Sequence, residues 1–409
     1  MSNYSFNLPS TAGFAQASSE SAVTSITLDP KSSAVLAATI KSGSNLPANR
    51  DHFEQLHNRQ AFEQVLERDM GVYDRLAINF ESIHNLCEGF TERGAPMMTV
   101  TGSIIGSTSQ RAIVFMEQIK SLLENGFDDE SRTRVLDSLD DLTARAKSLA
   151  FKSEKTSKVL ATFKVDSSNR FDELRSTMSR WDEVALSSEE INNRIRDHTD
   201  RVRQVIDQAR MQAQAAQEEQ ERSQVWGKAK WGFMAFPLLG AAILIGDHVA
   251  GPNADELRAR TEELQRNYEE MIRKEGKDQE QLIAAKMNVD LLHNTMEDMS
   301  VQADDLSSAL KQIYTAATKM VTENEDLARR IKALDEDLDD AEQDLQSSNM
   351  DAIRDMLTDS LEDVVECIAM WQQVHQVGQE FERGGELAGS YSVLPDFAEM
   401  QMPTGWEYF

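Results

Sequence analysis

The sequence predicts an all-α protein, an elongated antiparallel helical bundle with a long coiled-coil stalk and an apolar hairpin at the tip. Two long stretches lack proline: 140 residues separate Pro96 from Pro237, and 142 residues separate Pro252 from Pro395. Because a proline inside a helix costs about 3 kcal/mol, such stretches permit long helices. One apolar segment lies between the two stretches, which is the layout of a helical hairpin.

Composition excludes several other classes of protein. The 409 residues include 42 Lys and Arg against 70 Asp and Glu, and the formal net charge is −28. A chain this acidic repels a phosphate backbone, so nucleic acid is not an expected partner. Cys87 and Cys367 are too few for a disulfide framework or a structural zinc site of the usual kind.

The amino-terminal half predicts a mobile start followed by helices. Residues 1–45 are expected to be a flexible segment, and residues 46–170 form the first part of the bundle. Apolar spacing predicts one helix from Phe53 through Ile83, and the glycines and Pro96 within residues 93–110 predict a loop. The next helix is expected to end at Asn125, and acidic residues from Asp128 favour the start of another.

Two coiled-coil arms are predicted, the first at residues 171–225 and the second at residues 253–347. Sixteen positions from Leu292 to Leu345 alternate spacings of four and three, and fifteen of them are apolar. This repeat is typical of a left-handed coiled coil. The exception, Asn324, either fixes the register against a partner helix or is a tolerated polar position. A helix at residues 348–383 and an aromatic tail at residues 384–409 complete the chain.

The segment at residues 226–252 is predicted to be a hydrophobic, membrane-facing hairpin. Its centre, residues 231–246, has no charged side chain, and aromatic rings favour a membrane interface. Sixteen helical residues reach about 24 Å, which is short for a hydrocarbon core about 30 Å thick. The residues predicted to contact the membrane are Trp226, Trp231, Phe233, Met234, Phe236, Leu238, Leu239, Ile243, Leu244 and Ile245. Lys228 and Lys230 flank them, and the hinge candidates are Pro237, Gly240 and Gly276.

Three interpretations of this segment are open: a buried hairpin in an ordinary core, a permanent membrane anchor, and a segment that inserts only when it meets a membrane. Its isolation between two polar arms favours the third. An exposed apolar tip would be adhesive, so the soluble form has to shelter it.

No catalytic or cofactor-binding pattern is present in the sequence. The seven histidines are scattered, and no metal-ligand spacing or glycine-rich phosphate loop occurs. His52 and His57 are five residues apart, which misses the spacing of four that aligns two ligands on a helix. The two cysteines are interpreted as small buried apolar residues. We therefore expect no enzyme activity, no cofactor and no metal.

The layout resembles the α-helical pore-forming toxins of the cytolysin A superfamily, and most closely the A component of the two-component Xax/Yax cytolysins. The similarity lies in the lead-in from Lys41 through Leu46-Pro47 to Asp51, in an apolar segment about 60% along the chain, and in a late helix containing Trp371.

The resemblance implies a toxin subunit that is secreted without a recognisable signal peptide. It would bind target-cell membrane lipid through the hairpin and assemble with a second, B component into a hetero-oligomeric ring. The alternative that we retain is a membrane-anchored coiled-coil structural or tether protein.

Overall fold

The structure is a computed structural model that describes residues 4–7, 25–28, 31–57, 59–63, 69–125, 129–185, 197, 204, 263, 266, 280–336 and 361–388. The prediction of an all-α fold is confirmed. Seven helices are described: α1 (Lys31–Ser44), α2 (Arg50–Leu56), α3 (Arg59–Glu63), α4 (Gly71–Asn125), α5 (Asp129–Ala185), α6 (Glu280–Glu336) and α7 (Leu361–Ala388). Two short strands, β1 (Tyr4–Asn7) and β2 (Ser25–Leu28), are added to them.

The chain divides into two compact units. The first comprises Met1–Ala34, Glu92–Thr162 and Ala303–Phe409, and the second comprises Val35–Thr91 and Phe163–Gln302. Helices α4, α5 and α6 each contribute one part to each unit, so a single helix supplies core residues to both.

The heptad pattern of the second arm correctly identifies the buried face of α6. The eleven stripe positions from Met296 to Ile331 are all buried, and Asn324 among them is fully buried. Further buried residues widen this face beyond a two-helix seam, namely Ser307, Ala309, Ala316, Val321 and Ala328. A broad face of this kind is typical of a helix that packs against several neighbours in a bundle.

The predicted loop at residues 93–110 is wrong, because these residues lie inside the 55-residue helix α4. Pro96 is within the helix, and both Pro96 and its neighbours Ala95 and Met97 are buried. Tertiary packing therefore overrides the low helix propensity of this stretch. The predicted end at Asn125 and the acidic start of α5 at Asp129 are confirmed.

In the first unit, α4 and α7 pack with their backbones in contact. A methyl group added at Gly102 would lie 2.5 Å from Gly378 O and 2.8 Å from Glu382 Cα. A methyl at Gly385 would lie 2.5 Å from Ala95 O. Real side chains do not approach backbone atoms this closely, so the glycines are needed for the two helices to pack at this distance.

The other side of α4 faces α5 through hydroxyl groups. The Thr101 and Thr156 hydroxyls are 2.8 Å apart, and the Thr156 hydroxyl donates to Met97 O at 3.5 Å. At 100° per residue, the positions that face α5 (Met97 and Thr101) lie roughly 150° around α4 from those that face α7. Helix α4 is therefore packed between α5 and α7.

Helices α5 and α6 pair antiparallel within each unit. In the first unit, Ser157 Oγ donates to Ser307 O at 3.0 Å, and Ser307 Oγ donates to Ser157 O at 2.9 Å. In the second unit, the hydroxyls of Ser168 and Ser300 are 2.7 Å apart. These contacts fix which residues of the two helices face each other.

Three further predictions need correction. Helix α1 and strand β2 occupy part of the segment expected to be flexible, and β1 pairs antiparallel with β2, Tyr4 opposite Leu28. The helix expected from Phe53 through Ile83 is divided into α2, α3 and the start of α4. Helix α7 extends to Ala388, into the predicted aromatic tail, where Gly384 packs against Ser33.

We expect Gly102→Ala to destabilise the protein by about 3 kcal/mol, because its new methyl group collides with backbone that has little room to move. The matched control is Gly89→Ala in the same helix, where nothing lies within 4 Å of the added carbon. That variant should be neutral or stabilising by up to about 1 kcal/mol. Thermal and urea unfolding measure both, and equal effects would contradict the close packing of α4 on α7.

We expect the double variant Ser168→Cys/Ser300→Cys to form a disulfide rapidly under mild oxidation, because the two hydroxyls are already in contact. The native thiols of Cys87 and Cys367 are buried and do not compete. The control pair is Ser168→Cys with Val301→Cys, since the Val301 side chain is exposed. Non-reducing gels and peptide mapping measure the cross-link. Equal yields from the two pairs would contradict this register.

Candidate functional site

The apolar segment singled out by the sequence lies outside the residues that the structure describes. This holds for all ten predicted membrane-contact residues, for Lys228 and Lys230, and for the hinge candidates Pro237, Gly240 and Gly276. Their placement and their role stay predictions. The structure does describe the two helices that lead into the intervening stretch, α5 up to Ala185 and α6 from Glu280.

Two contacts give the register in which α5 and α6 pair in the second unit. The rings of Phe171 and His293 are 4.4 Å apart, and the Ser168 and Ser300 hydroxyls are in contact. The residue numbers of the two pairs add to 464 and 468. Nearly constant sums are the mark of an antiparallel pair of helices.

The described part of the chain offers no metal site. No group of three or more His, Cys, Asp or Glu side chains is placed to hold an ion among the described residues. His52 is exposed on α2 and His57 is buried at the end of that helix, so these two histidines do not share a face. None of the helices that the structure describes is long and apolar enough to cross a bilayer.

Both cysteines are buried thiols, as the sequence analysis interprets them. Burial raises the pKa of the Cys87 thiol, and the nearby Glu88 carboxylate raises it further. A methyl group added at Gly43 of α1 would collide with Cys87 Sγ. The thiolate is the reactive form of cysteine, and the raised pKa keeps Cys87 as the neutral thiol. Cys87 is therefore a packing residue between α1 and α4.

An aromatic cluster that the sequence analysis missed lies in the second unit, where four helices meet. Phe53 of α2 is 5.2 Å from Tyr73 and 5.4 Å from Phe80, both of α4. Phe62 of α3 is 5.7 Å from Trp181 of α5, with the rings perpendicular. These are favourable edge-to-face geometries. We call this set, together with His57, the aromatic cluster: Phe53, His57, Phe62, Tyr73, Phe80 and Trp181.

His57 is the polar member of the aromatic cluster. Its ring lies 4.8 Å from Phe53 and 6.0 Å from Phe80, and the residue is 4% exposed. Its backbone oxygen accepts a hydrogen bond of 2.6 Å from the Tyr73 hydroxyl. Burial lowers the pKa of His57 from 6.5 to about 4, so the imidazole is neutral at pH 7.

Five charged side chains form a chain of ion pairs at the surface of the helices that carry the aromatic cluster. Arg50 contacts Glu54 at 2.9 Å and Asp74 at 2.6 Å, and Arg59 contacts Asp74 at 3.6 Å and Glu63 at 3.3 Å. The network therefore joins α2 and α3 to α4. Its members are half-exposed, so each ion pair contributes little to stability by itself.

Burial raises the pKa of Tyr73 to about 12, and the negative charge of Glu54 is the second cause of the increase.

Comparison with known proteins gives a likeness of fold. No family model matches the sequence, and no curated protein matches it. Soluble SmhA of the tripartite α-pore forming toxin Smh from Serratia marcescens is 10% identical, with 90% of this chain and 98% of SmhA covered, at a TM-score of 0.50.

Two other solved structures are similar at lower scores. Soluble AhlB of the tripartite α-pore forming toxin AHL from Aeromonas hydrophila is 11% identical, with 90% of this chain and 94% of AhlB covered and a TM-score of 0.48. The HblL1 toxin component of Bacillus cereus is 12% identical, with 86% and 94% covered and a TM-score of 0.47. The assignment of fold rests on SmhA, and this chain has an all-α helical fold like that of soluble SmhA.

Proposed function

We propose that this chain is one subunit of a multi-component α-helical pore-forming toxin, and that it acts by binding a membrane and not by catalysis. The observation that carries the proposal is the combination of a fold like that of soluble SmhA with one uncharged apolar segment, residues 231–246, between two antiparallel helical arms. SmhA is a component of a tripartite toxin. The partner proposed here is therefore at least one further toxin component, the B component of the sequence analysis.

The register of α5 and α6 supports a role at a tip for the apolar segment. In this proposal both arms keep the register of the Phe171–His293 and Ser168–Ser300 contacts, which would put the turn of the hairpin at residues 232–234, within the uncharged stretch. A turn is the part of an antiparallel hairpin that is farthest from the paired helices on which it is built. The segment most able to enter a bilayer is then the one that reaches it first.

The length of the segment limits what it does in the bilayer. Its sixteen uncharged residues reach about 24 Å as a helix, less than the hydrocarbon thickness of about 30 Å. The segment is also apolar nearly all round, whereas a helix that lines an aqueous channel is amphipathic. We therefore assign this subunit to membrane attachment and to recruitment of its partner, which contributes more of the channel wall in a hetero-oligomeric ring.

Attachment rests on apolar contacts because the chain is strongly acidic. A net charge of −28 gives little attraction to anionic lipids, which bind basic protein segments. Lys228 and Lys230 are the basic residues next to the segment, and their long side chains are suited to reach the headgroups. The site of action in this proposal is the target-cell membrane, which the subunit reaches after release from the producing cell.

We expect Phe236→Asp/Leu239→Asp to reduce binding to liposomes by more than about 100-fold, since each Asp costs roughly 2.5–3.5 kcal/mol at the centre of an inserted helix. Circular dichroism and thermal unfolding should be unchanged. The matched control is Val301→Asp, which makes the same chemical change at a side chain that is 51% exposed and should leave binding intact. Co-sedimentation with neutral phosphatidylcholine vesicles gives the measurement.

Two results, one from this experiment and one from purification of the wild-type protein, count against the proposal. Binding of the double variant at the wild-type level would show that the segment does not contact lipid, and the interpretation as ordinary core would replace it. A wild-type chain that is extracted from the producing cell only with detergent would favour the membrane-anchored tether instead. Release of dye from vesicles only when a partner component is added would support the toxin.

A further inference from the structure

The aromatic cluster contains a histidine, His57, that has no part in the membrane binding proposed above. His57 follows the last residue of α2, and its backbone N–H closes that helix by donating to Phe53 O at 2.8 Å. The ring lies among Phe53, Phe62 and Phe80. An apolar side chain would fill this position without a desolvation cost, whereas a neutral imidazole can be charged by acid.

The position of His57 joins short helices to long ones. Helix α2 has seven residues and α3 has five, too few for either to be stable without tertiary contacts. Phe53 and His57 attach α2 to α4, and Phe62 attaches α3 to Tyr73 of α4 and to Trp181 of α5. The two short helices are therefore held in place by the same cluster that contains the histidine.

The charged groups around His57 do not offer a counter-ion for a buried imidazolium. On α2 these are Arg50 and Glu54, and on α3 they are Arg59 and Glu63, all in the surface network with Asp74 of α4. On α5, Arg180 pairs with Asp69 at 2.8 Å. The four carboxylates each already contact at least one arginine, and burial is the cause that lowers the pKa of His57.

We propose that α2 and α3 form an acid-released clasp, in which protonation of His57 opens the aromatic cluster and detaches residues 50–63 from α4 and α5. The imidazolium is poorly solvated among phenyl rings, so it favours the opened state in which water reaches it. Opening exposes the apolar faces of Phe53 and Phe62 and uncovers Tyr73, Phe80 and Trp181. The clasp would make the second unit adhesive at acidic pH, independently of the apolar segment.

The direction of the pH dependence follows from the two states of His57. In the opened state the imidazole has an ordinary pKa of about 6.5, and in the closed state burial lowers its pKa to about 4. As the pH falls below 6.5 the opened state takes up the proton first, so the clasp loses stability down to about pH 4. Between pH 7.5 and pH 5.0 the equilibrium constant for opening should rise about 25-fold.

Hydrogen exchange on the full-length protein tests this proposal. We expect amides of residues 50–63, including the His57 amide, to exchange about 25-fold faster at pH 5.0 than at pH 7.5 after correction for intrinsic exchange. Amides in α6 from Leu310 to Met320 serve as the internal reference. His57→Phe, which keeps an aromatic ring and removes the titration, should abolish the acceleration. The matched control, His52→Gln, replaces the exposed histidine of α2 and should still show the acceleration at pH 5.0.

Several outcomes overturn the clasp. Exchange of residues 50–63 that does not accelerate at pH 5.0 is one, and acceleration that persists in His57→Phe is another, since carboxylates would then be responsible. If His57→Phe does not fold, titration of the His57 ring by NMR in the wild-type protein decides. A pKa near 6.5 would refute the proposal, and a value below 5 would support it.

Discussion

The packing of α4 on two nearly opposite faces is the constraint on which the first unit depends. A helix with neighbours on both sides has to pair the polar groups on those faces within the packing, and its distance from each neighbour is set by the side chains between them. On the α7 side, Gly102 and Gly378 have no side chain between them and meet backbone to backbone. On the α5 side the side chains are small hydroxyls, Thr101 against Thr156. Close approach and short hydrogen bonds set the spacing of these helices, and fully buried apolar side chains such as Phe115, Trp371 and Phe381 fill the core of the unit.

This constraint explains where the sequence predicts the fold and where it does not. The α6 stripe could be found because its period reports one broad buried face, and the stripe positions from Met296 to Ile331 are buried as expected. Residues 93–110 could not, because glycines that indicate a loop locally, such as Gly102, are here the residues that let α4 approach α7 closely. Only a second sequence element, α7 with its own glycines, makes such a helix favourable, and pairing of distant elements is not visible in local propensity.

The aromatic cluster was beyond sequence reasoning for a related reason. Phe62 and Trp181 are in contact at 5.7 Å although 119 positions separate them in the chain. Their local patterns indicate only that each has an apolar face. The candidate membrane segment is the opposite case, since its uncharged composition and its place between two arms are local properties. The structure adds the register of those arms, which depends on contacts such as Ser168 with Ser300 and which no periodicity specifies.

Charge has a minor part in holding the helices together. Many of the ion pairs among the described residues join positions three or four apart on one helix, such as Lys319 with Glu323 and Arg329 with Asp326, and such pairs contribute about 0.3–0.5 kcal/mol each. A net charge of −28 leaves many acids without a base, and their mutual repulsion opposes compaction. Tertiary specificity in the first unit rests on contacts that salt does not screen: the buried apolar core, the glycine contacts of α4 with α7 and the hydroxyl pairs on α5. In the second unit the aromatic cluster supplies contacts of this unscreened kind, between α2, α3, α4 and α5.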